Sequence, residues 1–396
     1  MSVRSPFPAP SIPPYGYGTL AEIVPSGLAL LLDNWPDPLG LRERVEHVRR
    51  VCLYLIDGLG ATAIRDYGDT APTLRELLQA ENSSVIRTCF PSTTVTSLAS
   101  IGTGLTPGRH GLVGYTINWQ ATGEIINLVR FSRYGASPNK TITDALFPQK
   151  IQPHPTLFAQ ATEAGIPVIS CTNTLYEGSG LTQATLRGTL PHGWTQPEEA
   201  PTQAAKAAAE HDRCFIYAYH PSLDRIGHVS GVGSDPWLEE LARVDNHVQN
   251  MRAQLPSDTL LMVTGDHGMM NIDEEKKIDF DTTEALQEGV RSLGGEPRMR
   301  HVYTLKNAGD FVLETWRDFL ADQAWVVSKQ EALQKGWFGP VVESRVLPSI
   351  GNVVAAFTDA PSGIFQTKVD NLQSRLRGHH GSFSEAESHI PLLISR

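Results

Sequence analysis

Hydrophobic residues along the chain fall into short continuous runs that alternate with stretches of helical periodicity. Four runs have the length and composition of strands buried on both faces, and they cover residues 51–56, 168–170, 214–219 and 260–264. Helical periodicity lies between them, over residues 73–80, 156–164 and 237–255. The alternation predicts an α/β fold in which a mainly parallel central sheet is flanked by helices.

The stretch between Asp266 and His379 is longer than a simple connection between a strand and a helix requires. Within it, strand-like segments at 301–305 and 324–327 flank helical periodicity over 308–321. We therefore expect a small α+β lobe over approximately residues 290–350, inserted into a single α/β domain that spans residues 1–396.

Composition and charge narrow the classes of partner. The chain has 33 Lys and Arg residues against 43 Asp and Glu, a formal charge of −10 with no basic run, which argues against a nucleic acid polymer as a partner. No run approaches the roughly 18 apolar residues of a membrane span, and prolines interrupt the start of the chain. We expect a cytoplasmic protein without a membrane partner, whose four dispersed cysteines are buried free thiols.

Acidic residues follow three of the four predicted strands closely. Ligands of parallel sheets gather beyond the carboxyl ends of the strands, and there the chain has Asp57, the pair Asp224 and His228, and the pair Asp266 and His267. An isolated Asp-His pair in a loop is more often a hydrogen-bonded cap. Several pairs at strand ends instead favour a zinc site, because zinc takes carboxylate oxygen and imidazole nitrogen together.

A hydroxyl-rich segment, Phe-Pro-Ser-Thr-Thr-Val-Thr-Ser at residues 90–97, precedes Gly-Thr-Gly at 102–104 and Pro-Gly-Arg-His-Gly at 107–111. One interpretation is a helix N-terminus at which Ser92, Thr93 or Thr94 only caps the backbone. In the other, a hydroxyl at that helix start is activated beside metal ions and attacks a bound phosphoryl group.

Taken together, these motifs resemble the type I phosphodiesterase and nucleotide pyrophosphatase branch of the alkaline phosphatase superfamily. The similarity rests on a strand ending in Asp57-Gly58, the Pro-Ser-Thr-Thr segment at 91–94, Asp-x-x-Gly-His at 224–228, Asp-His-Gly-Met at 266–269 and Gly-His-His-Gly at 378–381. The motifs cover residues 50–116, 214–270 and 376–394. Any one of them is common, whereas all of them in this order are specific.

The resemblance implies a role for seven residues. One zinc ion would be held by Asp224, His228 and His380, and a second by Asp57, Asp266 and His267, with Mn²⁺ as the alternative to Zn²⁺. The nucleophile Thr94 would lie between and contact the metals, and hydrolysis would pass through a phospho-threonine. His380 is preferred to His379 because it fits the position of the histidine in the family motif.

Two positions depart from the family pattern. Tyr115 stands where relatives have an asparagine that donates to a phosphoryl oxygen, and a phenol can donate as well. Asn118 is the other candidate donor. Val95 follows the nucleophile where relatives that bind nucleotides have an aromatic residue, which leaves Tyr176 or Trp119 to supply a ring.

The resemblance implies a phosphodiesterase or nucleotide pyrophosphatase that acts on a small-molecule phosphoester, with nucleotides among the candidates. The alternatives are a phosphomonoesterase or phosphomutase of the same superfamily, or a relative that binds metal without catalysis. We expect Arg109 to be the only cation near Thr94 and to face away from the metals, which favours a diester over a monoester dianion. The sequence leaves the oligomeric state open.

Overall fold

The computed structural model describes residues 8–136 and 148–396. Its largest sheet has seven strands, which in spatial order are Ser84–Arg87, His389–Ser395, Thr259–Gly265, Arg50–Ile56, Cys214–His220, Val168–Cys171 and Leu190–Pro191. Only His389–Ser395 runs antiparallel to its neighbours. The predicted α/β fold with a mainly parallel sheet is confirmed, and the four predicted strands differ from those observed by at most one residue at each end.

The three central strands end at the same level. Ile56 of Arg50–Ile56 is paired with His220 on one side and Gly265 on the other. All three strands are buried along almost their whole length because helices cover both faces of the sheet. The residues that follow these strands therefore lie close together at the carboxyl edge, and Asp57 and Asp266 are the first of them.

Helices pack on both faces through alternating apolar side chains. One face is covered by Pro72–Gln79, Ala200–Glu210 and Asp235–Gln254. The other is covered by Ile23–Ala29, Thr94–Thr103 and Leu157–Glu163. The helices predicted at 73–80, 156–164 and 237–255 are confirmed with shifts of one or two residues at their ends. Shorter helices are Ala61–Asp66, Pro107–His110, Pro148–Ile151, Gly180–Thr185, Ser222–Ser230, Glu284–Gln287, Lys329–Gln334 and Glu385–Ser388.

A four-stranded antiparallel sheet follows the last of the central strands. In spatial order its strands are Val290–Glu296, Met299–Thr304, Val353–Phe357 and Ala324–Ser328. Helix Gly309–Leu320 packs on it through Val312 and Trp316. This sheet and its helices, called the insertion below, overlap residues 290–350, for which an inserted α+β lobe stays a prediction. The strand Val353–Phe357 lies beyond the predicted end of that lobe.

A three-stranded antiparallel sheet, Thr116–Trp119, Glu124–Asn127 and Ser132–Arg133, follows the hydroxyl-rich segment. Its strands are too short to give a clear alternation in the sequence, and the sequence did not predict them. The Thr116 hydroxyl donates to the Gly295 carbonyl at 2.7 Å, which ties this sheet to the insertion. Two further strand pairs are Met270–Asn271 with Gly378–His379, and Lys277–Asp279 with Gly363–Phe365.

Across residues 8–136 and 148–396, none of the helices has the length and apolar character needed to cross a membrane. Cys52, Cys89, Cys171 and Cys214 are free thiols and are buried, as the sequence predicted.

Candidate metal centre and active site

Asp57 lies at the centre of the carboxyl edge, and its side chain is almost fully buried. The Tyr219 hydroxyl donates to Asp57 Oδ2. The other oxygen, Oδ1, faces His267 Nε2 at 3.5 Å and accepts from the Thr94 hydroxyl at 3.4 Å. One oxygen of Asp57 is thus held by the protein, and the other is directed toward the predicted nucleophile.

Asp266 and His267 occupy the turn after the strand Thr259–Gly265. Asp266 Oδ1 accepts the backbone N–H groups of Gly58 at 3.0 Å and of His267 at 2.9 Å. Its Oδ2 is buried without a hydrogen-bond partner among the described residues and lies 3.3 Å from His267 Nε2. A buried carboxylate oxygen left unpaired is costly, which fits a site that holds a cation.

Asp224 and His228 lie one turn apart on helix Ser222–Ser230, so they share a face. His228 Nε2 is 3.4 Å from Asp224 Oδ1. His380 approaches from the C-terminal segment, with its Nε2 3.7 Å from Asp224 Oδ1 and 3.3 Å from His228 Nε2. Asp224 Oδ1 is also buried without a hydrogen-bond partner among the described residues.

The second ring nitrogen of each histidine is bound to a backbone carbonyl. The Nδ1 atoms of His228, His267 and His380 lie 2.7, 2.9 and 2.9 Å from the carbonyl oxygens of Gly378, Gly268 and Ser92. Because a carbonyl only accepts, each Nδ1 carries the proton and each Nε2 keeps its lone pair directed into the site. This is the arrangement that histidine ligands of metals adopt.

Electrostatics within the cluster also fit a bound cation. Burial raises the pKa of Asp57, and the neighbouring Asp266 and Asp224 raise that pKa further. Burial lowers the pKa of His380, and His267 and His228 add to the effect. Three carboxylates and three imidazoles thus face one another with no cationic side chain of the described residues bonded to them.

The donor atoms form two groups, each within the span of a single ion. Asp224, His228 and His380 make the first group, and Asp57, Asp224 and His267 make the second. The first group is the set that the sequence analysis assigned to one ion. For the second ion that analysis named Asp266 rather than Asp224, and Asp266 lies beside this group, with Oδ2 3.3 Å from His267 Nε2, without belonging to it. The rings of His267 and His380 stack with centroids 3.6 Å apart, so the two groups are adjacent.

Thr94 begins the helix Thr94–Thr103, after Thr93 in extended conformation. The Thr94 Oγ1 atom lies 3.2 Å from His267 Nε2 and 3.4 Å from Asp57 Oδ1, beside the second group of donors. The N-terminal end of a helix favours negative charge, so an anionic substrate near Thr94 is stabilised there. Thr93 lies in the same cleft, but among the described residues its side chain forms no hydrogen bond with Asp57 or His267.

A cleft of about 830 Å³ opens over the site and is lined by Thr94, Tyr115, Asp224 and His228, among others. The Tyr115 hydroxyl accepts from Asn127 Nδ2 at 2.6 Å, and its backbone N–H donates to Glu296 Oε2 at 2.8 Å. Burial raises the pKa of Tyr115 to about 12, so its hydroxyl is neutral at pH 7. The structure thus brings Tyr115 into the same cleft as Thr94.

Glu296 is a cleft residue that the sequence did not predict. Its side chain is 3% exposed, its Oε1 atom has no hydrogen-bond partner among the described residues, and burial raises its pKa to about 8. Gly381 makes room for it, because a Cβ at that position would lie 2.5 Å from Glu296 Cγ. The last glycine of the Gly-His-His-Gly motif was the available signal, although it does not identify the neighbour.

Three other candidates from the sequence do not reach the cleft. Asn118 is buried, and its amide donates to the Pro348 carbonyl at 3.4 Å. Trp119 packs on an apolar cluster between helix Thr94–Thr103, the three-stranded sheet and the insertion, and Val95 is fully buried within that cluster. His379, although beside the cleft, packs its ring on Phe365 with centroids 5.1 Å apart, in keeping with the preference for His380. Of the two candidate rings, Tyr176 is the one that lines the cleft.

The expectation that Arg109 is the only cation near Thr94 is wrong, whereas its expected direction away from the cleft is observed. Arg109 lies outside the cleft, 3.9 Å from Glu343, as expected. However, Arg130, Arg133 and Arg225 line the cleft walls. They were missed because they come from the small three-stranded sheet and from the residue next to Asp224, and no motif marks them.

This combination of fold and site is that of a metal-dependent phosphoester hydrolase of the alkaline phosphatase superfamily. The model of the type I phosphodiesterase / nucleotide pyrophosphatase family matches residues 51–383, and the chain belongs to that family. It is therefore a hydrolase of the phosphodiesterase and pyrophosphatase type.

Solved structures share the fold at low sequence identity. Murine ectonucleotide pyrophosphatase / phosphodiesterase 5 has a TM-score of 0.67 and 18% identity, covering 87% of each chain. Phosphonoacetate hydrolase from Sinorhizobium meliloti, in complex with phosphonoformate, has a TM-score of 0.66 and 16% identity, covering 88% of this chain and 90% of its own. None of the curated protein sequences compared with the chain matches it.

Proposed function

We propose that the protein hydrolyses phosphodiester or diphosphate bonds of small molecules at a two-zinc site, through a phospho-threonine at Thr94. The observation that carries the proposal is the position of the Thr94 hydroxyl. It is the hydroxyl at the start of a helix, within 3.4 Å of both Asp57 and His267. A hydroxyl held there is a suitable nucleophile toward a phosphoryl group in the cleft.

Asp224, His228 and His380 would hold one zinc ion, and Asp57, Asp266 and His267 the other, with Asp224 near enough to contribute to both. The mixture of imidazole nitrogen and carboxylate oxygen suits Zn²⁺, and Mn²⁺ is the alternative. When bound, such ions lower the pKa of a coordinated hydroxyl or water and neutralise charge that develops on phosphoryl oxygens.

The reaction would proceed in two displacements at phosphorus. In the first, the Thr94 hydroxyl gives up its proton and its oxygen bonds to phosphorus, while the bond to the leaving oxygen breaks and that oxygen takes up a proton from solvent. In the second, a water oxygen adds and the bond to the Thr94 oxygen breaks, which restores the hydroxyl. Asp57 Oδ1 orients the Thr94 hydroxyl through their hydrogen bond, and Tyr115 would donate to a phosphoryl oxygen in place of the family asparagine.

The cleft supports a substrate larger than a simple phosphate ester. A cleft of about 830 Å³ lies within the range of sites that bury a whole small molecule. Tyr176 on one wall offers a ring, packed against Tyr219 with centroids 6.1 Å apart, and Arg130 and Arg225 offer positive charge. An inactive variant of the murine relative has been solved in complex with AMP, and a nucleotide is a suitable substrate class here as well.

A phosphomonoesterase of the same superfamily is the second candidate, because three cleft arginines suit the additional charge of a monoester dianion. A phosphomutase would return the phosphoryl group to its substrate. A non-catalytic relative would bind metal without turnover.

Glu296 reaches the cleft from the insertion and accepts a hydrogen bond from the Tyr115 N–H. This contact supports treating residues 1–396 as one functional unit with an inserted lobe.

The deciding experiment is a substrate panel assayed with metal-loaded protein, using aryl monoesters, aryl diesters, phosphonates and nucleoside diphosphate derivatives. We expect turnover of diesters or diphosphates. In acid-quenched protein, Thr94 should carry the phosphoryl group together with the ester substituent that the first displacement leaves on phosphorus. Absence of turnover across the panel, with two metal ions bound per chain, would overturn the proposal in favour of a non-catalytic relative.

A further inference from the structure

The donors around Asn127 fix the orientation of its amide group. Asn127 ends the strand Glu124–Asn127, and its side chain is almost fully buried. Its Oδ1 atom accepts the backbone N–H groups of Val129 at 2.9 Å and Arg130 at 3.0 Å. Because a backbone N–H only donates, the atom facing these two groups must be the oxygen. The amide nitrogen therefore points the other way.

The amide nitrogen of Asn127 in turn determines which way the Tyr115 hydroxyl points. Nδ2 lies 2.6 Å from the Tyr115 oxygen, and an amide nitrogen has only protons to offer. The phenol oxygen must accept this bond, so its own proton is directed elsewhere. Among the described residues, no group accepts that proton, and the hydroxyl lines the cleft that contains Thr94.

The backbone keeps these two side chains in register. The Leu128 N–H donates to the Tyr115 carbonyl at 2.9 Å, and Thr116 is paired with Asn127 in the antiparallel ladder. Glu296 Oε2 accepts the Tyr115 N–H at 2.8 Å, so Tyr115 is held at its backbone as well as at its hydroxyl. A pre-oriented donor requires little reorganisation when substrate charge develops.

We infer that Asn127 is a positioning residue that makes the Tyr115 hydroxyl a hydrogen-bond donor toward the phosphoryl group of the substrate. This inference rests on the proposed function, since it assigns to Tyr115 the task that an asparagine performs in relatives. Asn127 also lines the cleft, and the role inferred for it is exerted through Tyr115, whose hydroxyl accepts the bond from its amide. It explains how a tyrosine can stand at this position without losing the donor.

The decisive substitution is Asn127→Asp. An aspartate keeps both bonds from the Val129 and Arg130 N–H groups, but its second oxygen accepts where the amide donated. The Tyr115 hydroxyl would then donate to the carboxylate and turn its proton away from the substrate. We expect kcat to fall about 10- to 1,000-fold, the range for loss of one donor to the transition state, with unchanged metal content.

A double-substitution cycle with Tyr115→Phe separates this effect from the added negative charge. If Asn127 acts through Tyr115, Asn127→Asp should change kcat less than about threefold in the Tyr115→Phe background, because only the charge effect remains. Asn118→Asp is the matched control, since it adds the same charge to the same small sheet away from the cleft. It should leave kcat within about threefold of the wild type.

A second readout does not require turnover. In protein with ¹³Cζ-labelled tyrosine, the Tyr115 signal, assigned by its loss in Tyr115→Phe, should shift when orthovanadate binds to the metal-loaded wild type. It should not shift in Asn127→Asp. The inference would be overturned if Asn127→Asp lowered kcat equally in the wild type and in Tyr115→Phe. It would also be overturned if the wild-type Tyr115 signal did not shift when vanadate binds. Complete lack of hydrolysis with a vanadate response intact would instead count against the proposed function alone.

Discussion

Arg298 and Glu387 form a fully buried ion pair that joins the insertion to the segment carrying His380. Arg298 Nη2 lies 2.7 Å from Glu387 Oε2, and both side chains are 0% exposed. Glu387 also accepts the Ser382 N–H at 3.0 Å, and its carbonyl accepts the Gly268 N–H at 2.8 Å. The Glu387 carboxylate therefore holds the segment next to His380, and its backbone carbonyl holds the turn that carries Asp266 and His267.

Glu387→Ala should destabilise the protein and weaken metal binding together. Removing the carboxylate leaves the Arg298 charge buried without its partner, which costs about 3–5 kcal/mol in the free energy of unfolding. Loss of the bond to Ser382 also frees the segment next to His380. Chemical denaturation and metal titration measure the two effects.

The matched control is Glu76→Ala, which removes an exposed partner of Arg252 at 3.3 Å. This pair should be worth no more than about 1 kcal/mol. Equal losses of stability for Glu76→Ala and Glu387→Ala would contradict the role assigned to the buried pair. If Glu387→Ala does not fold, Glu387→Gln keeps the shape and hydrogen-bonding capacity and tests the charge alone.

Adjacent histidines give a test of the metal ligands. His380→Ala should lower the bound metal from about two ions per chain, because its Nε2 faces Asp224 and His228. His379→Ala should retain the metal, because its Nε2 lies 3.3 Å from the Leu376 carbonyl. Elemental analysis after dialysis compares the two variants. If only His379→Ala lost metal, His379 rather than His380 would be the metal ligand.

The sequence predicted most of the fold because buried parallel strands are read from continuous apolar runs. The candidate site could also be predicted from the sequence, since Asp57, Asp224 and Asp266 follow such runs and Thr94 stands in a recognisable motif. Asn127 and Glu296 could not be predicted in this way. Asn127 reaches Tyr115 through strand pairing within the three-stranded sheet, and Glu296 reaches it only through the packing of the insertion against that sheet.

Tyr219 illustrates a second limit of sequence reasoning. It lies within an apolar run and reads as an ordinary strand residue, yet its hydroxyl binds Asp57. Alternation along a strand gives the face of a side chain but not the partner of its polar tip.

Thr94→Ala should retain the fold and bound metal and lose catalysis. Removing the nucleophile should lower kcat by about 10³-fold or more, whereas Thr94→Ser should keep partial activity because it retains a hydroxyl. Thr93→Ala is the neighbouring control, since the Thr93 side chain makes no capping hydrogen bond. Single-turnover kinetics measure the step. If Thr93→Ala were inactive and Thr94→Ala active, the nucleophile would be Thr93 rather than Thr94.

Glu296 should make the stability of metal-free protein depend on pH. Its pKa is raised by burial to about 8 in the folded state, above 4.5 in the unfolded chain, so the folded state binds the extra proton. The stabilisation is complete below pH 4.5 and is lost as pH rises toward 8, with a slope of up to about 1.4 kcal/mol per pH unit.

Comparison with Glu296→Gln isolates this contribution from that of Asp57 and Asp266. The variant should lose less stability than the wild type between pH 5 and pH 8 when denaturation is followed in chelator. A wild type and variant with parallel pH profiles would mean that Glu296 is ionised in the folded protein across this range.

The charges on the cleft walls lead to a prediction about the substrate. Arg225 has no side-chain partner among the described residues and lies beside the predicted ligand Asp224, whereas Arg109 is paired outside the cleft. If the protein cleaves diphosphates, Arg225 should bind the phosphate that leaves. A hydrogen bond from a guanidinium to a phosphate contributes about 1.5–3 kcal/mol, or roughly 10- to 150-fold in kcat/KM. Arg225→Gln should cost this factor with a nucleoside diphosphate derivative and little with an aryl diester, whose leaving group carries no phosphate, while Arg109→Gln should change neither. Steady-state kinetics on matched aryl monoester, aryl diester and diphosphate substrates measure these effects in the same preparation.

We expect the wild type to prefer the diester or the diphosphate over the monoester. A monoester preference that Arg225→Gln abolishes would instead assign the cleft arginines to a dianion and make the protein a phosphomonoesterase, with the same nucleophile and metal ligands.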